Sequence, residues 1–259
     1  MKRIGVIGLG TMGLPMALNL IKAGFDVRGF NRTASKTQEL AKAGGIACAS
    51  IADLVRQSDA VLLMLSNDDV VKEIILGPHG VAASGKTGLI VIDSSTVAPT
   101  TSRGTAAALA KRGIRHLDAP VTGSKKQAEE GSLSFLVGGE RALFESCAPV
   151  FAAMGKKTFY VGETGMGATA KLCNNMTVAM NMAALSESLS LARKCGIESQ
   201  AMLEILSTSG ARSAMAEVKG PKIVQNEFST AFALALMSKD VGLALELAKG
   251  AHHDTGSSR

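Results

Sequence analysis

The most specific chemical signature in the sequence is a GxGxxG turn, made of Gly8, Leu9, Gly10, Thr11, Met12 and Gly13. A strand pattern from Arg3 to Ile7 precedes the turn, and a helical pattern from Leu14 to Ala23 follows it. A second strand pattern, from Asp26 to Phe30, comes next. Strand, glycine turn, helix and strand in this order are typical of a dinucleotide-binding site.

Each glycine of the turn has a physical reason in that context. Gly8 permits the tight turn, Gly10 lets the backbone approach a pyrophosphate, and Gly13 allows the helix to pack closely on the strand. The start of the helix offers N–H groups and a positive dipole end to the phosphates. The sequence therefore predicts a dinucleotide site, the alternative being a glycine-rich turn without a ligand.

The residues after the second strand indicate which dinucleotide binds. An NAD site usually places Asp or Glu here for the ribose 2′-hydroxyl, but this chain has Asn31, Arg32 and Thr33. A neutral amide followed by a guanidinium and a hydroxyl suits a 2′-phosphate. We therefore expect NADP (NADPH) in preference to NAD, unless Arg32 is only a solvated surface residue.

A second candidate site lies in the stretch from Gly165 to Gly196, where Lys171 and Asn175 interrupt an apolar surface. The composition predicts one helix that would span roughly 40 Å, and we expect it to pass between two domains. Residues i and i+4 share a helix face, and buried polar groups need partners. Taken alone, Lys171 could also extend its amino group to water.

Alternating strand and helix patterns continue up to the turn from Gly162 to Gly167. The predicted strands are Ala60 to Leu65, Leu89 to Asp93, His116 to Asp118, Ser132 to Val137 and Lys157 to Val161. The predicted helices are Ser35 to Lys42, Asp68 to Leu76, Pro99 to about Arg112 and Glu140 to Met154. Ser50 and Asp53 resemble a helix-capping box. This pattern predicts an α/β domain with a Rossmann-type parallel sheet over residues 1–162.

The remainder of the chain, residues 163–259, is predicted to hold the interdomain helix and an all-α domain. Its further predicted helices are Ser199 to Leu206 with Ser199 as the cap, Ala214 to Val218, Pro221 to about Glu227, and one from the Phe232 segment to Lys249. We expect the polar residues 250–259 to be frayed.

Composition narrows the classes of partner. The net charge of +6, without a block of like charge, is compatible with a small anionic substrate and does not indicate nucleic acid. No apolar run reaches membrane-spanning length. Met1, Lys2 and Arg3 lead directly into a strand, so we expect no leader peptide and a cytoplasmic protein. We expect no metal at His252 and His253.

Four segments together resemble the β-hydroxyacid dehydrogenases over nearly the whole chain. They are Gly8 to Leu20, Asp118 to Ser124 (DAPVTGS), Gly165 to Asn175 (GMGATAKLCNN), and Leu236 to Asp240 (LMSKD). The segment from Ser124 to Gly131 is most similar to the glyoxylate/succinic semialdehyde reductase branch.

The resemblance implies roles for matching positions. Lys171 matches the catalytic lysine, and Asn175 the residue beside it that holds the substrate. Thr122 and Gly123 match the loop that binds the substrate carboxylate, with Thr122 where the family usually has Ser. Thr96 matches a residue near the nicotinamide. Lys239 matches a cofactor- or substrate-facing lysine, although it could instead make a structural contact.

The resemblance also implies an activity, and the sequence departs from the family at two points. It implies NADPH-dependent reduction of a small acid aldehyde, with Lys171 as general acid and base, in a homodimer or higher homo-oligomer. Oxidation of 3-hydroxyisobutyrate or another β-hydroxyacid is the alternative, and a cofactor-binding scaffold or sensor is the non-enzymatic one. Family members usually continue further at the C-terminal end, so the all-α domain is shortened by comparison. Ala216 stands where the reductases carry a pocket Phe.

Overall fold

The computed structural model describes residues 1–230 and 232–253, so most of the end segment that we expected to fray lies outside the described residues. The strands are β1 (Arg3–Ile7), β2 (Asp26–Phe30), β3 (Ile46–Ala47), β4 (Ala60–Leu63), β5 (Ile90–Asp93), β6 (Arg115–Asp118), β7 (Val121–Thr122), β8 (Leu133–Gly139) and β9 (Gly155–Gly162).

Helices alternate with these strands and then follow them. They are α1 (Gly13–Lys22), α2 (Ala34–Lys42), α3 (Ile51–Arg56), α4 (Asp68–Leu76), α5 (Val81–Ser84), α6 (Pro99–Ala110), α7 (Lys125–Glu129), α8 (Arg141–Ser146), α9 (Ala148–Met154), α10 (Met166–Lys194), α11 (Ser199–Thr208), α12 (Ala214–Val224) and α13 (Leu234–Gly250). No helix of the described residues is long and apolar enough to cross a membrane.

The strands form one sheet in the order β3-β2-β1-β4-β5-β6-β8-β7, with β9 paired to β8. Neighbouring strands from β3 to β6 are all parallel, whereas β8 runs antiparallel to β6 and β7. Parallel strands have their carboxyl ends at one edge, where such sheets bind ligands. The predicted Rossmann-type sheet is therefore confirmed, with an antiparallel addition at β8.

Both faces of the sheet are buried, as the continuous apolar strands predict. Along β4, Ala60 and Leu62 belong to one apolar cluster, while Val61 and Leu63 belong to another. Successive side chains of a strand point to opposite faces, so one strand contributes to both cores. The chemistry must therefore lie at the ends of the strands.

The long helix predicted from Gly165 to Gly196 is present as α10, a 29-residue helix. The described residues form two compact units that divide within α10. The first unit comprises Met1–Lys171 and the described residues from Leu247 onward, and the second comprises Leu172–Glu246. The second unit has its own apolar core, formed by Leu185, Leu189, Leu203, Leu206 and Ala216.

Prolines account for two differences from the sequence-based expectations. The helix predicted from Glu140 to Met154 is two helices that meet at Cys147, with Pro149 in the first turn of α9. Proline lacks an N–H and its ring clashes with the preceding turn, so it starts a new helix here. Pro221 instead lies inside α12, so the two helices that were predicted on either side of residues 219 and 220 are one helix. Gly220 precedes it, and a residue without Cβ reduces the clash that proline makes with its predecessor.

The caps and the short elements complete the comparison. Ser50 accepts a hydrogen bond from the N–H of Asp53 at 3.1 Å, which confirms Ser50 as the cap of α3, whereas Oδ1 of Asp53 accepts from Nε2 of Gln57 at 2.7 Å. Ser199 is wrong as a cap, because it is the first residue of α11 and Glu198 precedes it without a side-chain hydrogen bond. Four short elements were not predicted, because two to five residues are too few to show a periodicity: β3, β7, α5 and α7.

Candidate active site

The glycine turn between β1 and α1 is closed by its first and third glycines. Gly8 has a φ of +94°, and a Cβ there would lie 2.3 Å from the carbonyl oxygen of Met64. A Cβ on Gly13 would lie 1.9 Å from the carbonyl oxygen of Gly8. Real Cβ atoms do not approach that closely, so neither position can carry a side chain without moving the turn.

The middle of the turn fits a pyrophosphate. A Cβ built on Gly10 meets no atom within 4 Å, so the turn leaves an open space that a side chain would fill. Within the described residues, no side chain caps the start of α1 and its first turn carries no acidic residue. The N–H groups and the positive end of the helix dipole therefore suit an anion.

Asn31 joins this turn to the end of β2. Its Oδ1 accepts a hydrogen bond from the N–H of Leu9 at 3.0 Å, and its Nδ2 donates to the carbonyl oxygen of Thr33 at 3.1 Å. The side chain that we assigned to the cofactor thus also braces the glycine turn. Arg32 and Thr33 are exposed beside it. Arg32 makes no ion pair among the described residues, which suits a group that binds an anionic ligand.

The segment that carries Thr96 follows β5 and is held by two hydrogen bonds. Oδ1 of Asp93 accepts from the N–H of Ser95 at 3.0 Å, and Oγ of Ser95 accepts from the N–H of Leu65 at 2.9 Å. Asp93 is buried, and burial raises the pKa of its carboxyl to about 6. Thr96 is half-buried at the same edge of the sheet.

Thr122 and Gly123 lie in and directly after β7. Thr122 pairs with Ser134 of β8 and is half-buried. Gly123 is exposed, and its φ of +130° is a conformation that other residues rarely adopt. Beyond it, Oε1 of Gln127 accepts from the N–H of Ser124 at 2.8 Å. The loop is therefore held on one side by its pairing with β8 and on the other by the Gln127 side chain.

Helix α1 also supports this loop. The buried Asn19 donates from Nδ2 to the carbonyl oxygen of Ala128 in α7, with a distance of 2.6 Å. The helix whose start faces the glycine turn therefore also holds the short helix that follows Gly123. This link between the two predicted binding regions was not visible in the sequence, because its ends are 109 residues apart.

Lys171 and Asn175 lie one turn apart on α10, as predicted, and Lys171 is half-buried. Asn175 is 4% exposed and donates from Nδ2 to Oδ2 of Asp240 at 2.6 Å. Its Oδ1 accepts from Nδ2 of Asn174 at 3.0 Å. The buried amide thus has the polar partners that its position requires.

Asp240 is the residue of this group that the sequence analysis missed. It is 2% exposed, and its Oδ1 lies 3.0 Å from Nζ of Lys239. The carboxylate therefore contacts both Asn175 and Lys239. The ion pair gives Lys239 the structural contact raised above as an alternative, so its role toward a ligand stays a prediction. A carboxylate beside a lysine in an apolar helical segment was the available signal.

The arrangement within each unit is therefore clear. In the first unit, hydrogen bonds connect the glycine turn with Asn31, and the ends of β4 and β5 with each other. In the second unit, Asn175, Asp240 and Lys239 form one contact group. Among the described residues, no cluster of three or more His, Cys, Asp or Glu could hold a metal ion. The described residues thus offer a glycine turn that suits an anion, and a lysine and a buried amide on α10.

Comparison with known proteins agrees with this geometry. A family model described as the NAD binding domain of 6-phosphogluconate dehydrogenase matches residues 3–162. A second family model, described as the NAD-binding of NADP-dependent 3-hydroxyisobutyrate dehydrogenase, matches residues 165–257. Both parts of the chain are thus similar to NAD(P)-binding families.

Individual relatives cover nearly the whole chain. It is 40% identical to 2-(hydroxymethyl)glutarate dehydrogenase from Eubacterium barkeri, over 95% of this chain and 82% of that protein. It is 39% identical to glyoxylate/succinic semialdehyde reductase 1 from Arabidopsis thaliana, over 94% of this chain and 84% of that protein. A solved structure of Mycobacterium tuberculosis 3-hydroxyisobutyrate dehydrogenase with L-serine has a TM-score of 0.91 and 32% identity, over 98% of this chain and 89% of that chain.

Proposed function

Because this chain belongs to the β-hydroxyacid dehydrogenase family of NAD(P)-dependent oxidoreductases, we propose that it reduces the carbonyl group of a small acid aldehyde with NADPH. Glyoxylate and succinic semialdehyde are the first substrates to consider. The observation that carries the proposal is the half-buried Lys171 on α10, followed one turn later by the buried Asn175. The identity with the Arabidopsis reductase supports the choice of substrates.

The glycine turn and the end of β2 hold the cofactor in this proposal. The backbone N–H groups at the start of α1 bind the pyrophosphate, and Gly10 leaves room for it. Arg32 and Thr33 bind the 2′-phosphate, while Asn31 keeps the turn in place. When bound, the nicotinamide supplies the hydride, and the protein supplies orientation and charge.

The other residues act on the substrate. Thr122 and the backbone at Gly123 bind the substrate carboxylate, and Asn175 holds the reacting end. Lys171 donates a proton to the carbonyl oxygen as the hydride reaches the carbonyl carbon, and it removes that proton in the reverse direction. The contact of Asn175 with Asp240 fixes the orientation of the amide, because one N–H of Nδ2 donates to the carboxylate, and the second N–H is the group that we propose holds the substrate.

Oxidation of a β-hydroxyacid by the same residues is the second candidate. The relative from Eubacterium barkeri and the mycobacterial structure are both named as dehydrogenases, which favours this direction. Reduction and oxidation of any one substrate pair pass through the same transition state, so each residue would keep its role in the oxidative direction. They differ in which small acid the protein turns over at the higher kcat/KM.

A panel of substrates tests the proposal. The purified chain is assayed for oxidation of NADPH with glyoxylate and with succinic semialdehyde, with NADH as the parallel control. Reduction of NADP⁺ with 3-hydroxyisobutyrate and with L-serine tests the second candidate. Turnover of an acid aldehyde with NADPH and much slower turnover with NADH is the expected result. Turnover of hydroxyacids alone would favour the second candidate, and preference for NADH would overturn the proposed role of Arg32.

We also propose that the protein acts as a homodimer or a higher homo-oligomer. Several large apolar side chains of the second unit are mostly exposed in the single chain, including Leu191 at 65%, Phe228 at 73% and Leu234 at 83%. Contact with a second copy would remove such surface from water. Light scattering at assay concentration should give at least twice the mass of the chain, and a monomeric mass would contradict this proposal.

A further inference from the structure

Helix α10 starts against the sheet of the first unit, and the contacts at that start explain how Lys171 is held. A helix leaves the N–H groups of its first turn without partners inside the helix. Here the N–H of Gly165 donates to Oδ1 of Asp118 at 2.8 Å, and the N–H of Ala168 donates to Oδ2 at 2.9 Å. One carboxylate at the end of β6 therefore accepts hydrogen bonds from two N–H groups at the start of α10.

The approach of α10 to the sheet depends on two glycines. A Cβ on Gly167 would lie 2.4 Å from the carbonyl oxygen of Asp118 and 2.5 Å from that of Leu136. A Cβ on Gly138 would lie 2.7 Å from the backbone nitrogen of Gly167 and 2.9 Å from Oδ1 of Asp118. The first turn thus lies in direct backbone contact with β6 and β8, so a small shift of Asp118 must move it.

Asp118 is also close in the sheet to the other predicted site segments of the first unit. It pairs in register with Asp93 of β5, whose carbonyl oxygen accepts from the N–H of Ala119 at 2.7 Å. Asp93 in turn holds the segment of Thr96 through Ser95. Thr122 follows Asp118 by four residues. Asp118 therefore connects the start of α10 to the segment of Thr96 through Asp93, and to Thr122 through four residues of chain.

Lys171 lies less than one helical turn beyond Ala168, the second backbone partner of Asp118. We propose that Asp118 is a positioning residue of the reaction, which sets the place of Lys171 by anchoring the first turn of α10 to the sheet. The inference rests on the proposed function, since it takes Lys171 as the proton donor. A misplacement of about 1 Å in a reacting group can cost about a hundredfold in rate, so loss of the anchor should appear in kcat.

The test compares Asp118→Asn with Asp59→Asn. Asp59 is a matched control, because it also accepts two backbone N–H groups, from Lys2 at 2.9 Å and Arg3 at 3.0 Å, at the amino end of β1. An asparagine at position 118 keeps one acceptor and turns an NH₂ group toward the other N–H. We expect kcat to fall about a hundredfold in Asp118→Asn, with KM for NADPH unchanged, and kcat of the folded Asp59→Asn variant to stay at the wild-type value.

Two further measurements separate positioning from a general structural role. On a Lys171→Ala background, Asp118→Asn should cause no further loss of turnover, because residues that act as a unit are not additive. Hydrogen exchange of the peptide that contains residues 165–171 should become faster in Asp118→Asn than in Asp59→Asn. If Asp118→Asn does not fold, Gly167→Ala tests the same anchor by pushing the first turn off the sheet, with the same expected loss of kcat.

The outcomes are distinguishable. An unchanged kcat in Asp118→Asn, an equal loss on the Lys171→Ala background, or unchanged exchange at residues 165–171 would each overturn the inference. If the wild-type chain turned over none of the acids with either cofactor, the proposed function would fail instead. The exchange experiment would still decide whether Asp118 anchors α10, since it needs no substrate.

Discussion

Replacement of Asp93 by asparagine should stabilise the protein at neutral pH. The carboxyl is 1% exposed, and burial, with the Asp118 and Asp68 carboxyls nearby, raises its pKa to about 6. The ordinary value is about 3.9. Oδ1 accepts the hydrogen bond from Ser95, whereas the buried Oδ2 has no hydrogen-bond partner among the described residues. The ionised side chain is therefore poorly compensated.

The magnitude follows from proton linkage. Between about pH 4 and pH 6 the folded protein binds a proton that the unfolded chain has released, so stability falls as the pH rises through this window. A difference of about two pKa units corresponds to about 3 kcal/mol of unfolding free energy. Asparagine stays neutral and keeps the oxygen that accepts from Ser95. Allowing about 1 kcal/mol for an amide N–H without a partner, the expected gain is about 2 kcal/mol.

Urea unfolding of the wild type and Asp93→Asn at about pH 4 and about pH 7.5 measures this gain. Tyr160 is the only tyrosine, the chain has no tryptophan, and β9 lies in the first unit, so tyrosine fluorescence follows the unit that contains Asp93. Asp59→Asn is the control with the opposite sign. Burial raises the pKa of Asp59, but hydrogen bonds from Arg3 and Lys2 outweigh it and hold the pKa below its usual range.

The gain should be present at about pH 7.5 and absent at about pH 4, because the folded carboxyl of the wild type is protonated and uncharged at the lower pH. A variant equally destabilised at both pH values would show that asparagine removes a stabilising interaction and not an unfavourable charge. Asp59→Asn should destabilise at about pH 7.5.

Three shorter predictions follow from other residues. Burial lowers the pKa of His116 to about 4, so the protein should lose stability as the pH falls from about 6.5 to about 4. Urea unfolding across that range should show that His116→Phe reduces this loss by about 3 kcal/mol. An unchanged dependence of stability on pH would contradict the prediction. Gly13→Ala would place a Cβ 1.9 Å from the carbonyl oxygen of Gly8, so it should destabilise by about 2 kcal/mol and weaken NADPH binding in calorimetry. Arg32→Ala should raise KM for NADPH at least tenfold and leave KM for NADH unchanged, because a lost charged contact costs about 1.4 kcal/mol. Arg56→Ala, at another exposed arginine, is the control, and an equal effect of Arg32→Ala on both cofactors would contradict the prediction.

Local sequence patterns were sufficient for much of the first unit. The ends of β1 and β2 are those that the sequence predicts, because Gly8 and Asn31 directly follow the two strands. The length of α10 was predictable because its sequence contains no proline and no glycine between Gly167 and Gly196. In each case the signal lies within a few residues of the element that it specifies.

Contacts between distant residues were not predictable in this way. Asp118 meets Gly165 across 47 positions, and Asn175 meets Asp240 across 65. Both carboxylates lie in segments that the family resemblance covers, yet neither received a role, because no spacing rule relates residues in different elements. Proline gave two errors of opposite sign: Pro149 lies where one predicted helix is divided in two, whereas Pro221 lies inside α12, where two helices were predicted.

The proposed role of Lys171 as proton donor is tested by the turnover of Lys171→Ala. The control is Lys194→Ala, because Lys194 is an exposed lysine in the last turn of the same helix. The rate of NADPH oxidation is measured with the acid aldehyde that the wild type turns over fastest. Loss of a general acid should lower kcat by about 10² to 10⁴-fold, with NADPH binding intact and Lys194→Ala at the wild-type rate. A Lys171→Ala variant with near-wild-type kcat would show that Lys171 is not the proton donor.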